Sequence, residues 1–126
     1  MSKPYNPFDL SERNFAIDVD GFYFQGKFPL PNEETEIDMA VRAALGGVVL
    51  ETVSSITFGR EFMRCTLNRV LTVLPDEFPK KHPAFDWGKD MPDPAFATRV
   101  WAAYQEELKK FLERKKMILR PEHQSM

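Results

Sequence analysis

Residues 14–28, NFAIDVDGFYFQGKF, decide the fold. Apolar side chains alternate with polar or small ones on both sides of Asp20-Gly21, which is the period of a β-strand. The Asp-Gly pair is a strong signal for a two-residue type I′ turn. Folding about this turn sets Val19 opposite Phe22, so that the apolar residues of both strands share one face. The segment therefore predicts a β-hairpin.

The apolar face of this hairpin needs a cover, because an isolated two-stranded hairpin is only marginally stable in water. The cover comes either from helices of the same chain or from a partner. The face consists of Phe15, Ile17, Val19, Phe22 and Phe24.

Three helices are expected after the hairpin, at about 32–45, 52–74 and 94–117. Each carries apolar residues at intervals of three and four, as amphipathic helices do. Asn32 is the expected N-cap of the first helix, and Asp93, which precedes a proline, is that of the third. The hairpin and the helices together predict a mostly helical α+β fold in a single domain spanning residues 1–126.

The segment 75–92, PDEFPKKHPAFDWGKDMP, shows no clean period and is long for a connection in a compact domain. It is either an ordered loop pinned to the core of the protein by its aromatic residues, or a segment that contacts a partner. Aromatic residues are common anchors of binding hot spots. The candidate partner-binding residues are Phe78, Phe85 and Trp87 in this segment and Phe22 and Phe24 in the hairpin.

Both ends of the chain are expected to lie outside the packed body. Pro4 and Pro7 oppose helix formation in residues 1–13, which predicts an extended arm. Residues 118–126 are expected to form a tail. The first residues also lack the apolar core of a signal peptide, so no secretion signal is expected.

The composition excludes several classes of protein. Hydrophobic residues make up 43% of the chain and charged residues 29%, which is the mix of a globular domain. No apolar run approaches the roughly 20 residues of a membrane helix. Cys65 is the single cysteine, which excludes an internal disulfide framework. The net charge of −2 gives no general attraction to nucleic acid.

The residue types that most often carry catalysis form no recognisable set. His82 and His123 stand far apart in proline-containing segments and are expected to be solvated. Cys65 is expected to be a buried and inert thiol, since no cationic group shares its side of the helix. Asp9, Asp18 and Asp20 lack the glycine and the distal glutamate of a calcium loop. We therefore predict a protein that is not an enzyme and has no metal or cofactor.

Two further features have simple structural explanations. Gly46-Gly47 ends a helix rather than opening one, and no Lys-Ser/Thr pair follows it, so it is not a phosphate loop. The basic run 109–116 is interleaved with Phe111 and Leu112 and is expected to be a solvated helix face, with contact to nucleic acid as the alternative.

The order of the segments resembles that of a known family. The motifs are IDVDGFYFQGKFP at 17–29, AALGG at 43–47, VLTVLPDEFP at 70–79 and VWAAYQEELKKFLERKK at 100–116. Over about residues 14–116 the chain is similar to the tail assembly chaperones of long-tailed bacteriophages.

This resemblance implies a non-catalytic role in phage tail assembly. Such proteins coat apolar segments of the tape measure protein and recruit tail tube subunits, which would place this chain in the host cytoplasm during assembly. Two alternatives remain open. In the first, the chain is a structural subunit of the tail, baseplate or connector that stays in the virion beside neighbouring subunits or as a homo-oligomer. In the second, it is a small nucleic-acid-binding regulator that uses its basic last helix.

Overall fold

The computed structural model of the chain describes Phe8, residues 10–47 and residues 53–124. The described residues form the strands β1 (Asn14–Val19), β2 (Phe22–Lys27) and β3 (Leu71–Val73) and the helices α1 (Pro31–Ala44), α2 (Ser55–Val70) and α3 (Pro94–Gln124). The predicted mostly helical α+β fold is confirmed.

The hairpin forms as the sequence pattern predicts. Asp20 and Gly21 have φ angles of 55° and 87°, the positive values that a type I′ turn requires. The Asp18 carboxylate accepts a hydrogen bond from the Gly21 backbone N–H at 3.0 Å, which braces the turn. Val19 pairs with Phe22, and Ile17 pairs with Phe24 further along. The predicted register is therefore correct.

The strand β3 corrects the prediction of a helix that continues to Leu74. α2 ends at Val70, and Leu71–Val73 pair antiparallel with β2, which makes β2 the central strand of the sheet. A short apolar run fits a strand as well as a helix by its period alone. Here the β-branched Thr72 and Val73 favour the strand, and the open edge of β2 offers it backbone partners.

The helices α1 and α3 both begin with a capping interaction, but the cap of α1 is not the predicted one. α1 begins at Pro31 with Leu30 as its N-cap, so Asn32 lies inside the first turn. The reason is Glu33, whose carboxylate accepts the Leu30 N–H at 2.9 Å and so replaces the expected asparagine cap. Asp93 caps α3 as predicted, since its carboxylate accepts backbone N–H groups of the first turn.

The ends of the described chain are more regular than expected. Ser11–Arg13 form a 3-10 turn, in which the Arg13 N–H donates to the Leu10 carbonyl, so the extended arm predicted for 1–13 is wrong there. α3 continues to Gln124, which replaces the tail predicted from 118, because Leu119 and Arg120 are good helix formers and Pro121 lies only in the last turn. Residues 1–7, 9 and 125–126 lie outside the described residues.

The core lies between the inward face of the sheet, the first half of α3 and the loop that precedes α3. Phe24 is fully buried, and its ring centroid lies 5.5 Å from that of Phe78 and 5.9 Å from that of Trp87. The Trp87 backbone N–H donates to the Asn68 side chain at 2.7 Å. The loop is therefore pinned to the core, which is the first of its two predicted interpretations.

Among the helices that the structure describes, none combines the length and the apolar character needed to cross a membrane.

Candidate binding groove between the first and third helices

A groove of about 400 Å³ separates α1 from α3. It exists because α1 packs mainly against α2, whereas α3 packs mainly against β1. The α1 wall includes Glu34 and Ile37, and the α3 wall includes Gln105, Leu108 and Leu112. We call this feature the α1–α3 groove.

Aromatic rings form much of the floor and one end of the groove. Phe28, at the end of the hairpin, stacks on Phe111 of α3 with ring centroids 4.6 Å apart. Trp101 stacks on Tyr104 at 5.5 Å and meets Phe62 of α2 edge to face at 5.9 Å. The contact between Phe62 and Trp101 joins α2 to α3, so it closes one end of the groove.

Two large apolar side chains at the groove remain open to solvent. Phe62 is 41% exposed and Leu112 is 49% exposed. Contiguous apolar surface of this kind, when it borders a concave site, is typical of a place where a partner binds.

A polar group inside this apolar lining has no partner. Thr66 of α2 is 3% exposed, and its hydroxyl makes no hydrogen bond with any described residue. A helical threonine usually satisfies its hydroxyl by donating to the carbonyl four residues earlier. An unsatisfied buried polar group costs about 1–3 kcal/mol. The Thr66 hydroxyl is therefore an unsatisfied polar group buried beneath the groove surface.

Comparisons of this chain with protein-family models, with curated proteins and with solved structures found no match.

The Tyr104 hydroxyl and the Glu34 carboxylate add polar character to the groove. Burial, and to a lesser degree the negative charge of Glu34, raise the pKa of Tyr104 to about 12. Tyr104 is therefore a neutral phenol at physiological pH.

The glutamates that neighbour Glu34 on α1 are neutralised by arginines. Glu33 contacts Arg13 at 2.6 Å and Arg69 at 3.5 Å, and Glu36 contacts Arg69 at 3.0 Å. Within the described part of the chain, no cation lies at ion-pair distance from the Glu34 carboxylate. Glu34 is thus exposed at the edge of an apolar groove, and none of the described side chains supplies it with a cationic partner.

The five aromatic residues predicted to bind a partner lie elsewhere. Phe24, Phe85 and Trp87 are no more than 4% exposed, and Phe22 and Phe78 are half-buried beside them. The structure brings them together into one largely buried cluster, and Phe22, Phe78 and Phe85 of this cluster line a separate pocket of about 460 Å³. Periodicity could locate the apolar residues, but not the place where two helices fail to pack against each other.

The histidine and cysteine side chains have ordinary structural settings. His82 is half-buried in the loop before α3, and burial together with the charge of Arg69 lowers its pKa. Cys65 is half-buried, and burial followed by the charges of Glu61 and Asp86 raises the pKa of its thiol. Its expected full burial is wrong, but a raised pKa keeps the thiol protonated at neutral pH. The His123 side chain lies outside the described part of the structure.

The aspartates considered for a metal serve the hairpin turn. Asp18 braces the turn, and Asp20 forms an ion pair with Arg99 of α3 at 2.9 Å. Asp9 lies outside the described residues. The part of the chain that the structure describes contains no group of three or more His, Cys, Asp or Glu residues placed to hold a metal ion.

The basic stretch of α3 is partly engaged within the protein. Lys110 pairs with Glu107 at 3.3 Å, and Lys115 pairs with Glu12 of the 3-10 turn. Arg114 and Lys115 also lie near the Phe111 ring, at 6.0 Å and 5.4 Å from its centroid. These contacts favour the predicted role as a helix face over a nucleic-acid site.

Proposed function

We propose that this chain is a non-enzymatic protein of phage tail morphogenesis. Like the tail assembly chaperones it resembles, it binds an apolar segment of the tape measure protein in the host cytoplasm and recruits tail tube subunits. The observation that carries the proposal is the α1–α3 groove, which leaves Phe62 and Leu112 exposed on a stably packed domain.

The groove suits a carrier of apolar segments. Its lining is mainly aromatic and aliphatic, and rings such as Trp101 and Phe111 are held in place by stacking contacts. A preformed groove of this type binds a segment without having to order its own side chains first, which lowers the cost of association. Binding would also shield the segment from aggregation until assembly.

The test is binding to the tape measure protein and the tail tube subunit encoded by the same phage. We expect that co-expression keeps the tape measure protein soluble and that the two proteins co-purify. Replacing Leu112 by Asp should weaken binding at least about tenfold, since it places a charge on the apolar wall. Met39→Asp is the matched control, because Met39 is 63% exposed on α1 and does not line the groove.

Equal binding by both variants, or no effect of the chain on tape measure solubility, would contradict the proposal. Mass spectrometry of purified particles addresses the alternative. A chaperone should be lost from mature particles, whereas a structural subunit of the tail, baseplate or connector should be present in them at a constant copy number.

A further inference from the structure

We infer that the α1–α3 groove binds an amphipathic helix of its partner. The apolar face of that helix fills the groove, and a basic side chain of the same helix pairs with Glu34. This inference rests on the proposed function, because it names the chemistry of the bound segment. The contributing features are the ion pairing of the α1 glutamates and the nature of the groove walls.

The charge pattern of α1 singles out Glu34. Its neighbours Glu33 and Glu36 are committed to Arg13 and Arg69, so their charges stabilise the fold. Glu34 borders the groove and meets no cation of the described chain at ion-pair distance. A lysine or arginine of a partner would complement it, whereas an acidic side chain would be repelled.

The aromatic lining next to Glu34 suits the rest of such a side chain. Lysine and arginine have apolar stems that pack on hydrophobic surface while the charged head stays near water. Trp101 and Tyr104 stack on each other and line the same groove as Glu34, so a cationic head held by Glu34 lies close to aromatic rings. Contact with a ring face adds a cation–π attraction.

The groove walls favour a helix over an extended peptide. Both walls are helices, α1 and α3, whose backbone groups are already used in their own hydrogen bonds. An extended peptide would leave its backbone N–H and C=O groups unpaired against apolar side chains, which is costly. A helix satisfies its backbone internally and needs only side-chain contacts.

The experiment uses two synthetic helical peptides of about 18 residues, identical except at one border position of the apolar face, which is Lys in one and Glu in the other. Each is titrated into the full-length, isotope-labelled protein and followed by amide chemical shifts. We expect the Lys peptide to shift resonances of Phe62, Thr66 and Leu112 and to bind about five- to tenfold tighter than the Glu peptide.

Variants of the protein identify the residue that reads the charge. Glu34→Gln should reduce the preference for the Lys peptide to less than about twofold, and Glu34→Lys should reverse it. Glu106→Gln is the matched control, because Glu106 lies on the side of α3 that faces β1 and should leave the preference unchanged.

Three results would overturn the inference: shifts that map outside the groove, no binding of either peptide, or a Lys preference that survives Glu34→Gln. The outcome is separable from that of the proposed function. Loss of tape measure binding with the peptide preference intact would reject the chaperone role alone. Tape measure binding without a charge preference would reject the role of Glu34 alone.

Discussion

Gly26 shows how a single residue determines the junction of sheet and helix. A Cβ atom at this position would lie 2.2 Å from the Val70 carbonyl oxygen and 2.7 Å from the Phe15 ring. Neither neighbour can withdraw, since both are buried in the core. The absent side chain is what allows the end of α2 to pass so close to β2.

We expect Gly26→Ala to lower the free energy of unfolding by about 3 kcal/mol, measured by urea denaturation. Gly59→Ala is the control, because nothing lies within 4 Å of a Cβ at that position in α2. It should raise stability by roughly 0.5–1 kcal/mol, since alanine is the better helix former. Similar small effects at both positions would mean that the junction is less tight than described.

Thr66 tests whether the groove contains an unsatisfied polar group. Valine has nearly the shape of threonine without the hydroxyl, so Thr66→Val should raise the free energy of unfolding of the free protein, by about 1 kcal/mol. If the protein is destabilised instead, the hydroxyl has a hydrogen-bond partner in solution, and it is then not available to a ligand.

The sequence predicts individual residues best where local chemistry acts alone. Asp20-Gly21 and Asp93 occupy the turn and the cap expected of them, because both signals depend on the adjacent backbone. Ile56 is the contrary case. Its helical spacing from Met63 and Leu67 predicts a place on the buried stripe of α2, yet it is 73% exposed, because none of the described elements covers the first turn of α2 on that side.

At the scale of elements, the loop between β3 and α3 is part of the core. Its centre is fixed by the burial of Trp87, by the hydrogen bond to Asn68 and by the Asp86 carboxylate, which accepts the Gly88 N–H at 2.7 Å. Proline stiffening lowers the entropy lost when such a loop is ordered.

We expect Trp87→Ala to cost about 3–5 kcal/mol of stability in the isolated protein, because it empties a large site in the core. His82→Ala is the control in the same loop and should cost less than about 1 kcal/mol, since His82 lies outside the core cluster. Thermal or urea unfolding of both variants measures these two losses of stability. An unchanged stability for Trp87→Ala together with weaker partner binding would restore the interface interpretation.

Elements whose signals are local could be predicted, and elements that depend on distant pairing could not. The hairpin has its own turn and register, and α3 has its own cap. β3 exists only because β2 presents an open edge to Leu71–Val73, a contact between segments far apart in the chain. The same limit applies to the α1–α3 groove, which forms because α1 packs on α2 whereas α3 packs on β1.

At the scale of the whole molecule, the packing divides into a main core and a smaller contact. The main core unites residues of the sheet, the loop, α3 and the end of α2, where Leu67 and Val70 lie. Ile37 and Val41 of α1 are buried, but they pack outside that cluster. The ion pairs that hold the start of α1 to Arg13 and Arg69 are partly exposed, and pairs of this kind contribute about 1 kcal/mol or less.

We therefore expect α1 to open before the rest of the protein unfolds. In native-state hydrogen exchange, the amides of α1 should exchange with a free energy at least about 2 kcal/mol below that of the β2 amides. Ile37→Ala should lower the protection of α1 further and leave that of β2 nearly unchanged. Exchange of α1 and β2 at one common free energy would show instead that the molecule opens only as a unit.

This opening bears on the groove, because α1 is one of its walls. A helix bound between α1 and α3 contacts both, so it should raise the protection of α1 amides more than that of β2 amides. The Lys peptide described above should produce this difference and the Glu peptide much less of it. An equal increase in hydrogen-exchange protection of all elements on binding would indicate that the ligand stabilises the fold without contacting α1. Glu34 would then not be part of the interface.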